Sequence, residues 1–323
     1  MTTTPSPSAI VATGLRKSFG EHVVLDGIDL DVPRGTVFSL LGPNGSGKTT
    51  TVRILSTLIR PDAGQVSVAG HDLDREPGAV RAAIGVTGQF SAVDTLLTGE
   101  ENLLLMTDLH HLGRAEGRRR VADLLGRFDL LDAARKTAAT YSGGMRRRLD
   151  LAMTLVGDPS VIFLDEPTTG LDPRSRRTMW QIIRRLVAGG VTVFLTTQYL
   201  EEADALADRI AVLDHGRVVA AGTADELKRQ IPGGHIRLRF ADADGLDAAA
   251  RVWPGAARDD EALTLRVPGD GGVGSLRALL DRLDAASVEV ADLSVHTPDL
   301  DDVFLALTGS PNTAPMTEQE TAR

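Results

Sequence analysis

The chain has 323 residues, of which 42% are hydrophobic and 24% are charged, and its formal net charge is −9. This length suits two domains, or one large domain with an appendage, and the composition is that of a protein able to bury a sizeable core. The acidic total disfavours nucleic acid as a partner. The absence of cysteine excludes disulfides, thiolate metal sites and a cysteine nucleophile.

The ends of the chain are polar. Met1–Ser8 has neither the basic region nor the apolar core of a secretory signal and is predicted to be a disordered lead-in, and Ser310–Arg323 is predicted to be a disordered tail. No apolar stretch approaches the roughly 18 residues needed to span a bilayer. The sequence therefore predicts a cytosolic protein, whose membrane role, if it has one, depends on a partner.

A complete phosphate-binding motif, G-x-x-x-x-G-K-T, spans Gly42–Thr49. Its glycines allow backbone N–H groups to curl around a triphosphate. The apolar run Val37–Leu41 predicts a strand before the motif and Thr50–Leu58 predicts a helix after it, which is the setting that the motif requires. A glycine-rich turn without this function leaves Lys48 unexplained. The predicted nucleotide contacts are Gly42, Pro43, Asn44, Gly45, Ser46, Gly47, Lys48, Thr49 and Thr50.

Two of these residues have a predicted chemical role. Lys48 is expected to reach the β- and γ-phosphates, and the Thr49 hydroxyl is expected to bind Mg²⁺. Further along, the apolar run Val161–Leu164 predicts a central strand that ends in Asp165 and Glu166. A single acid at a strand end is commonly a solvated cap, but two in succession place one on the metal side and one beside the γ-phosphate. Asp165 is therefore a predicted Mg²⁺ ligand and Glu166 the predicted base.

The remaining elements follow from their patterns. Helices are predicted at Glu100–His111 and Arg118–Phe128, and a second central strand at Val191–Leu195. Beyond the breaker Ile231–Gly234, a small α+β unit is expected. Its predicted elements are the strands His235–Phe240, Leu263–Val267 and Val288–Val295 and the helices Gly274–Ala285 and Leu300–Leu307.

Several motifs occur in a fixed order. The phosphate loop is followed by Gln89 in Thr87-Gly-Gln, the signature Tyr141-Ser-Gly-Gly-Met, the Asp165-Glu166 pair and Gly170-Leu-Asp172. With these motifs, about Ile10–Leu227 resembles the ATP-binding cassette (ABC) ATPases. The resemblance implies a P-loop NTPase cassette with a mostly parallel core sheet and a helical subdomain, followed by a small C-terminal α+β domain. The predicted boundaries are 9–228 for the cassette, about 90–158 for its helical subdomain and 235–309 for the C-terminal domain.

The resemblance also implies ATP and Mg²⁺ as cofactors and a role for each motif residue. Gln89 contacts Mg²⁺ or the attacking water and senses a transporter partner. Phe19 stacks on adenine, although a core aromatic is the alternative. Ser142, Gly143 and Gly144 start a helix whose N-terminus binds the γ-phosphate held by a second copy of the chain, and Asp172 organises that contact. A homodimer that shares two ATP molecules is expected.

One position departs from the common pattern. Where most ABC ATPases place a histidine on the γ-phosphate, this chain has Gln198 in Thr196-Thr-Gln-Tyr. An amide still donates a hydrogen bond but carries no titratable positive charge, so either the ATPase is weakened or it depends more on Glu166. The daunorubicin-resistance type of drug-exporter ATPase also has glutamine there, and the run Thr297–Gly309 is similar to the ending of that subfamily. We count Glu166, Gln198 and Lys48 as the catalytic candidates.

Two arginine triplets, Arg118–Arg120 and Arg146–Arg148, could suggest a nucleic-acid surface. The first lies on a polar predicted helix. The second follows the signature directly, where a solvated helix face or carboxylate partners account for it. With the acidic total, no nucleic-acid partner is expected.

The leading hypothesis is an ATPase subunit that energises a separate integral-membrane permease at the cytoplasmic face of the membrane and supports export of a drug. The C-terminal domain then regulates or stabilises the dimer. One alternative is a soluble ABC ATPase that acts on nucleic acid or the ribosome, but such proteins usually carry a long coiled coil or two cassettes. A transporter ATPase for another substrate class is the second alternative. A non-hydrolysing ATP-gated module is disfavoured by the Asp165-Glu166 pair.

Overall fold

The structure is a computed structural model that describes residues 8–88, 91–230, 234–269, 272–296 and 298–309. The chain divides into two compact units, residues 1–224 and 225–323. Ser8, which the sequence placed in the lead-in, begins the first strand. The predicted tail and residues 1–7 lie outside the described residues.

The strands and helices of the first unit are, in chain order, β1 (Ser8–Phe19), β2 (His22–Pro33), β3 (Val37–Leu41), α1 (Lys48–Leu55), β4 (Ala63–Val68), β5 (His71–Asp72), α2 (Pro77–Ala83), β6 (Ile84–Thr87), α3 (Gly99–Leu109), α4 (Arg114–Arg127), α5 (Gly143–Thr154), β7 (Val161–Asp165), α6 (Pro173–Ala188), β8 (Thr192–Thr197), α7 (Leu200–Leu206), β9 (Arg209–Asp214) and β10 (Arg217–Gly222). Helix α8 (Ala224–Gln230) lies at the division between the units. Short 3₁₀ turns occur at Leu131–Ala133 and Ala138–Thr140.

A six-stranded sheet forms the centre of the first unit, in the order β10-β9-β3-β8-β7-β6. Strands β9 to β6 are parallel, and β10 joins the edge antiparallel. Every residue of β3, β7 and β8 is buried, as is typical of parallel strands that are covered on both faces. This confirms the mostly parallel core sheet.

Three phenylalanines lie side by side across the middle of this sheet. Phe38 of β3 pairs in register with Phe194 of β8, which pairs with Phe163 of β7. The Phe38 and Phe194 rings stack with centroids 5.5 Å apart, and the Phe163 and Phe194 centroids lie 5.6 Å apart. Aromatic pairs of this geometry contribute about 0.5–1.5 kcal/mol beyond area burial. The row therefore fixes the register of the three strands.

A second, antiparallel sheet in the order β2-β1-β4-β5 was not predicted from the sequence. Strand β1 alternates buried and exposed residues, with Ile10, Ala12 and Leu15 facing the core. This alternation is the pattern of a sheet with one covered face. Phe19 stands at the end of β1.

The helical segment between the motifs buries Leu103, Leu124 and Phe128 in one hydrophobic cluster with residues of the central sheet, among them Leu164 and Leu195. Thr98 begins α3 with a capping box: its hydroxyl accepts a hydrogen bond from the Glu101 amide at 3.2 Å, and Glu101 Oε2 accepts one from the Thr98 amide at 2.8 Å. Such reciprocal bonds satisfy amides that a helix start leaves unpaired. The predicted helices of this segment are found as α3 and α4.

The second unit consists of β11 (His235–Arg239), α9 (Ala243–Val252), β12 (Ala257–Asp259), β13 (Thr264–Pro268), α10 (Val273–Ala285), β14 (Asp292–His296) and α11 (Leu300–Thr308). Its antiparallel sheet has the order β12-β13-β11-β14. Leu238, Leu246 and Leu265 are fully buried in its core. The unit is α+β as predicted, although α9 and β12 were not predicted.

Acidic residues at the start of α11 favour the helix dipole and cap the helix. Asp299 caps the helix by accepting a hydrogen bond from the Asp302 amide at 2.9 Å, and Asp302 Oδ2 accepts one from the Asp299 amide at 3.1 Å.

Across the described residues, no helix is both long and apolar enough to span a membrane.

Candidate nucleotide site

The loop between β3 and α1 is built around glycines that tolerate no side chain. A Cβ at Gly42 would lie 2.3 Å from the Leu213 carbonyl oxygen. Gly47 has a φ of 111°, and a Cβ there would lie 2.6 Å from Leu25 Cδ2. Only glycine adopts this backbone without strain, and its small size allows the loop to close tightly. Glycine at these two positions is thus required for the close packing of the loop against Leu213 and Leu25.

Lys48 is the buried cation of this loop, with 5% of its side chain exposed. Its Nζ donates hydrogen bonds to the carbonyl oxygens of Gly42 at 2.8 Å and Pro43 at 3.0 Å, and lies 3.8 Å from Glu166 Oε1. Burial lowers the pKa of Lys48, while Glu166 and Asp165 oppose that shift. Ser46 Oγ is buried and, within the described residues, has no hydrogen-bond partner. A fixed ammonium and an unsatisfied hydroxyl both suit phosphate oxygens.

Asp165 and two hydroxyls form an oxygen cluster at the end of β7. Asp165 Oδ1 accepts hydrogen bonds from Thr196 Oγ1 at 2.5 Å and from Thr49 Oγ1 at 3.3 Å. Carboxylate and hydroxyl oxygens are the ligands that Mg²⁺ takes at nucleotide sites. Of the three residues predicted to hold the metal, Thr49 and Asp165 are therefore adjacent and chemically suitable, and Gln89 lies outside the described residues.

Glu166 adopts a backbone conformation that is uncommon for a residue with a side chain, with a φ of 49°. A left-handed conformation costs a non-glycine residue roughly 1–2 kcal/mol. Its amide donates to the Thr196 carbonyl at 3.1 Å and to Thr196 Oγ1 at 3.2 Å. The carboxylate, 10% exposed, accepts a hydrogen bond from Thr169 Oγ1 at 3.3 Å and faces Lys48. Strain of this kind is concentrated at functional sites.

Gln198 directly follows β8, whose last residue, Thr197, accepts a hydrogen bond from the Gly42 amide at 3.2 Å. Because β3, β8 and β7 are neighbouring parallel strands, the sheet brings together the ends that carry the phosphate loop, Gln198 and Glu166. Strand β6 comes next and ends at Thr87. Gln89, two residues further, lies outside the described residues.

The signature lies on the surface at the start of α5. Ser142 and Gly143 are exposed, and Ser142 caps the helix by accepting a hydrogen bond from the Met145 amide at 3.2 Å. Gly144 is buried, and a Cβ there would lie 2.5 Å from Ser175 Oγ, so Ser175 leaves no room for a side chain. Within the described residues, no hydrogen bond joins Ser142–Gly144 to the phosphate loop. One chain therefore presents the two motifs as separate features.

Asp172 caps α6. It accepts hydrogen bonds from the amides of Arg174 at 3.0 Å and Ser175 at 2.9 Å, and from Ser175 Oγ at 2.6 Å. The bonds from Ser175 hold the pKa of Asp172 below its ordinary value. Because Ser175 also packs against Gly144, Asp172 fixes the start of α6 beside the signature helix.

Phe19 is not a core residue, since 51% of it is exposed. The Lys17 Nζ lies 5.4 Å from the centroid of its ring. The core alternative for Phe19 is therefore wrong, and stacking against a ligand remains a prediction.

Glu202, in α7, is a buried carboxylic acid that the sequence analysis did not identify. Glu202 is fully buried, and its Oε1 accepts hydrogen bonds from Thr168 Oγ1 at 2.9 Å and Trp180 Nε1 at 3.1 Å. It thereby joins the helix after Gln198 to the loop after Glu166 and to α6. Burial raises the pKa of Glu202, against the opposing hydrogen bonds. No sequence signal distinguishes it from the exposed Glu201 beside it.

Comparison with known proteins identifies the family. The model of the ABC transporter family matches residues 25–169. Daunorubicin resistance ATP-binding protein DrrA3 of Streptomyces coeruleorubidus is 53% identical, over 94% of this chain and 96% of the relative. Daunorubicin/doxorubicin resistance ATP-binding protein DrrA of Streptomyces peucetius is 49% identical, over 99% and 98%. The chain belongs to the ABC transporter ATP-binding proteins. Nod factor export ATP-binding protein I of Ralstonia nicotianae is 37% identical, over 92% of each chain.

Solved structures agree with this. The ATP-binding subunit of an ABC transporter, 30% identical, covers 69% of this chain and 93% of its own length with a TM-score of 0.62. A dimeric ATP-binding cassette in a post-hydrolysis state, bound to ADP and phosphate, is 27% identical and covers 66% of this chain and 98% of its own with a TM-score of 0.60. The protein is thus an ABC ATPase that binds and hydrolyses ATP.

The buried state of Glu202 leads to a pH-dependent prediction. Its pKa is raised in the folded state above the unfolded value of about 4.3, so the folded protein binds the proton more tightly and loses stability as the pH rises above that value. Glu202→Gln keeps the acceptor oxygen without a charge. We expect the free energy of unfolding of Glu202→Gln, relative to the original protein, to increase between pH 5 and pH 8.

Chemical denaturation at the two pH values measures this difference. Glu201→Gln is the matched control, because the Glu201 side chain is 70% exposed, and it should show no such increase. A Glu202→Gln difference that is the same at both pH values would contradict a raised pKa.

Proposed function

We propose that the protein energises a separate integral-membrane permease, from the cytoplasmic face of the membrane, for the export of a drug- or antibiotic-like hydrophobic compound. The observation that carries this proposal is the extent of the similarity. The daunorubicin-resistance relatives match 94–99% of the chain, including the C-terminal unit, whereas the solved cassettes named above cover 66–69%. The similarity to a Nod factor export protein supports export but leaves a different substrate class as the second candidate.

Hydrolysis is proposed to depend on four residues around the β3–α1 loop and on Gln89. Lys48 holds the β- and γ-phosphate oxygens, and Thr49 and Asp165 hold Mg²⁺, together with Gln89 on the strength of the family resemblance. Bound Mg²⁺ neutralises charge on the phosphate oxygens. Glu166 accepts a proton from the attacking water, which its position beside Lys48 supports.

Gln198 is proposed to donate an amide hydrogen bond to the γ-phosphate. Its place after β8, beside the end of β3, supports this role. An amide contributes no titratable positive charge, so proton transfer depends on Glu166 rather than on Gln198. Phe19 is proposed to stack on adenine with its exposed ring.

Two copies of the chain are proposed to share two ATP molecules. The exposed Ser142 and Gly143 at the N-terminus of α5 offer free amides and a helix dipole to a γ-phosphate. A phosphate loop of the other copy would supply that phosphate, and Asp172 would hold the start of α6 at the same contact. A single set of motifs in the chain makes a homodimer the simplest assembly. Nucleic acid is not a proposed partner.

The assignment of the base predicts a selective loss. Glu166→Gln keeps the size of the side chain but cannot accept the proton, so ATP turnover should fall about 100-fold or more. Because the phosphate loop is unchanged, the dissociation constant for a fluorescent ATP analogue should remain within about threefold. Steady-state turnover and equilibrium titration measure the two effects, and a retained rate would remove Glu166 from the mechanism.

The shared site predicts complementation between two inactive variants. Lys48→Ala disables the phosphate loop and Ser142→Arg blocks the signature, so each homodimer should be inactive. Random mixing makes half of the dimers mixed, each with one intact site of two, so about a quarter of the original turnover should return. Thermal stability of each variant is the folding control. If mixing restores no activity, the two motifs do not act on one nucleotide across chains.

The transport function predicts ATP-dependent drug movement. In inside-out vesicles that contain the chain and the membrane protein encoded beside it, daunorubicin should accumulate when ATP is added. Vesicles with Glu166→Gln should show no accumulation above the level without ATP. Vesicles that hydrolyse ATP in response to the permease but never accumulate daunorubicin would favour another substrate class.

A further inference from the structure

Arg147, in the triplet that follows the signature, binds the backbone that carries Glu166. Its Nε donates to the Pro167 carbonyl at 3.0 Å, and its Nη2 donates to the carbonyls of Asp165 at 3.1 Å and Glu166 at 3.3 Å. One guanidinium thus holds three successive carbonyl groups. The sequence interpretation of a solvated helix face does not describe Arg147, because only 12% of its side chain is exposed.

The other side of the guanidinium connects to the segment after β6. Its Nη1 donates to the Gly88 carbonyl at 2.9 Å and to Asp150 Oδ2 at 3.3 Å. Asp150 Oδ1 in turn accepts a hydrogen bond from the Ala92 amide at 3.1 Å. Arg147 and Asp150, one turn apart on α5, therefore bind two residues that flank positions 89–91.

Every side-chain nitrogen of Arg147 and both carboxylate oxygens of Asp150 have hydrogen-bond partners. Only 3% of the Asp150 side chain is exposed. Burial of a guanidinium is tolerated only where a counter-ion and hydrogen bonds replace water, and Asp150 with the carbonyls supplies both. A lysine at this position has a single nitrogen and cannot reach partners in so many directions.

The position of these bonds matters because Glu166 lies between the carbonyls that Arg147 holds. A left-handed residue with a side chain persists only where its surroundings fix it, and φ of Glu166 is 49°. Thr196 fixes the Glu166 amide, while Arg147 fixes the carbonyl before it, its own carbonyl and the one after it.

We propose that Arg147, with Asp150 as its counter-ion, is a positioning residue for ATP hydrolysis. It holds the Asp165–Pro167 backbone in the conformation that keeps the Glu166 carboxylate beside Lys48, and ties that backbone to Gly88 and Ala92. Within the described residues, no hydrogen bond or ion pair joins Arg147 to the phosphate loop. The inference rests on the proposed role of Glu166 as the base.

The adjacent Arg148 provides a matched control. It lies on the same helix, has 16% of its side chain exposed, and also donates to backbone carbonyls and a carboxylate. Its Nη1 partners are the carbonyls of Phe128 at 2.8 Å and Asp129 at 3.1 Å, and Asp129 Oδ2 at 3.2 Å. None of these partners carries a residue of the nucleotide site. Replacement of either arginine by lysine thus removes hydrogen bonds to backbone carbonyls and to a carboxylate, but only the bonds of Arg147 concern Glu166.

The test compares Arg147→Lys and Arg148→Lys in the full-length protein. We expect Arg147→Lys to lower kcat about tenfold or more, because a small displacement of a catalytic group is costly, while the dissociation constant for a fluorescent ATP analogue stays within about threefold. Arg148→Lys should change kcat less than about twofold. Melting temperatures show whether the two variants are comparably folded. Equal losses of kcat, or a kcat for Arg147→Lys close to the original, overturn the proposal.

Asp150→Asn is the second variant, which tests the counter-ion if Arg147→Lys does not fold. It retains the size of the side chain and should lower kcat with little effect on nucleotide affinity. An unchanged kcat for a folded Asp150→Asn overturns the role of the pair.

A double-mutant cycle separates positioning from a general loss of structure. In single-turnover measurements on the Glu166→Gln protein, adding Arg147→Lys should lower the residual rate less than about twofold, because the carboxylate through which it acts is already gone. The same fractional loss in both backgrounds indicates a structural role and rejects the inference. If Glu166→Gln itself retains full activity, the base assignment fails, whereas loss in Glu166→Gln without loss in Arg147→Lys rejects the present inference alone.

Discussion

The alignment of three neighbouring parallel strands is the constraint on which the nucleotide site depends. Phe38, Phe194 and Phe163 pair in register across β3, β8 and β7, and their packing sets the relative height of the strands. A slip of one residue would turn every side chain of a strand to the opposite face of the sheet. Because the register is fixed, the phosphate loop, Gln198 and the Asp165-Glu166 pair emerge beside each other at one edge.

This arrangement brings charges together in a place that water reaches poorly. The Lys48 ammonium is buried and lowered in pKa, and it is satisfied by two loop carbonyls and by the nearby Glu166 carboxylate. Isolated buried charges are costly, so each must have a partner. The phosphate oxygens of a nucleotide can replace the two carbonyl oxygens as hydrogen-bond acceptors of the Lys48 ammonium. The ammonium therefore has partners before a nucleotide binds.

The sequence predicted the motifs well because each is contiguous. Gly42–Thr49 combines its glycines and its lysine within eight residues, and its flanking strand has the same bounds, Val37–Leu41, in the structure. Asp165 and Glu166 follow directly from their strand. In these cases local backbone geometry and chemistry depend on neighbours in the chain, which a sequence displays.

Features that depend on distant partners could not be predicted in this way. The Arg147 bond to the Gly88 carbonyl spans 59 residues, and the Glu202 bond to Thr168 spans 34. The sequence of the arginine triplet alone does not indicate that Arg147 donates hydrogen bonds to the carbonyls of a distant loop. Helix α9 was not predicted, although Asp242 caps it and it packs Leu246 into the core. Tertiary contacts decide these cases.

The same dependence on tertiary contacts explains why the signature is exposed while the Asp165-Glu166 pair is largely buried. Asp165 and Glu166 are largely buried against residues of their own chain, and their positions are fixed by Thr196 and Arg147. Ser142 and Gly143 are exposed to solvent, although the next residue, Gly144, packs tightly against Ser175. An exposed helix start held rigidly from behind is suited to bind an anion that approaches from outside. Lys48 and the proposed Mg²⁺ act on a nucleotide from within one chain, so the exposed amides at the start of α5 are the donors that the other copy would supply in the proposed dimer.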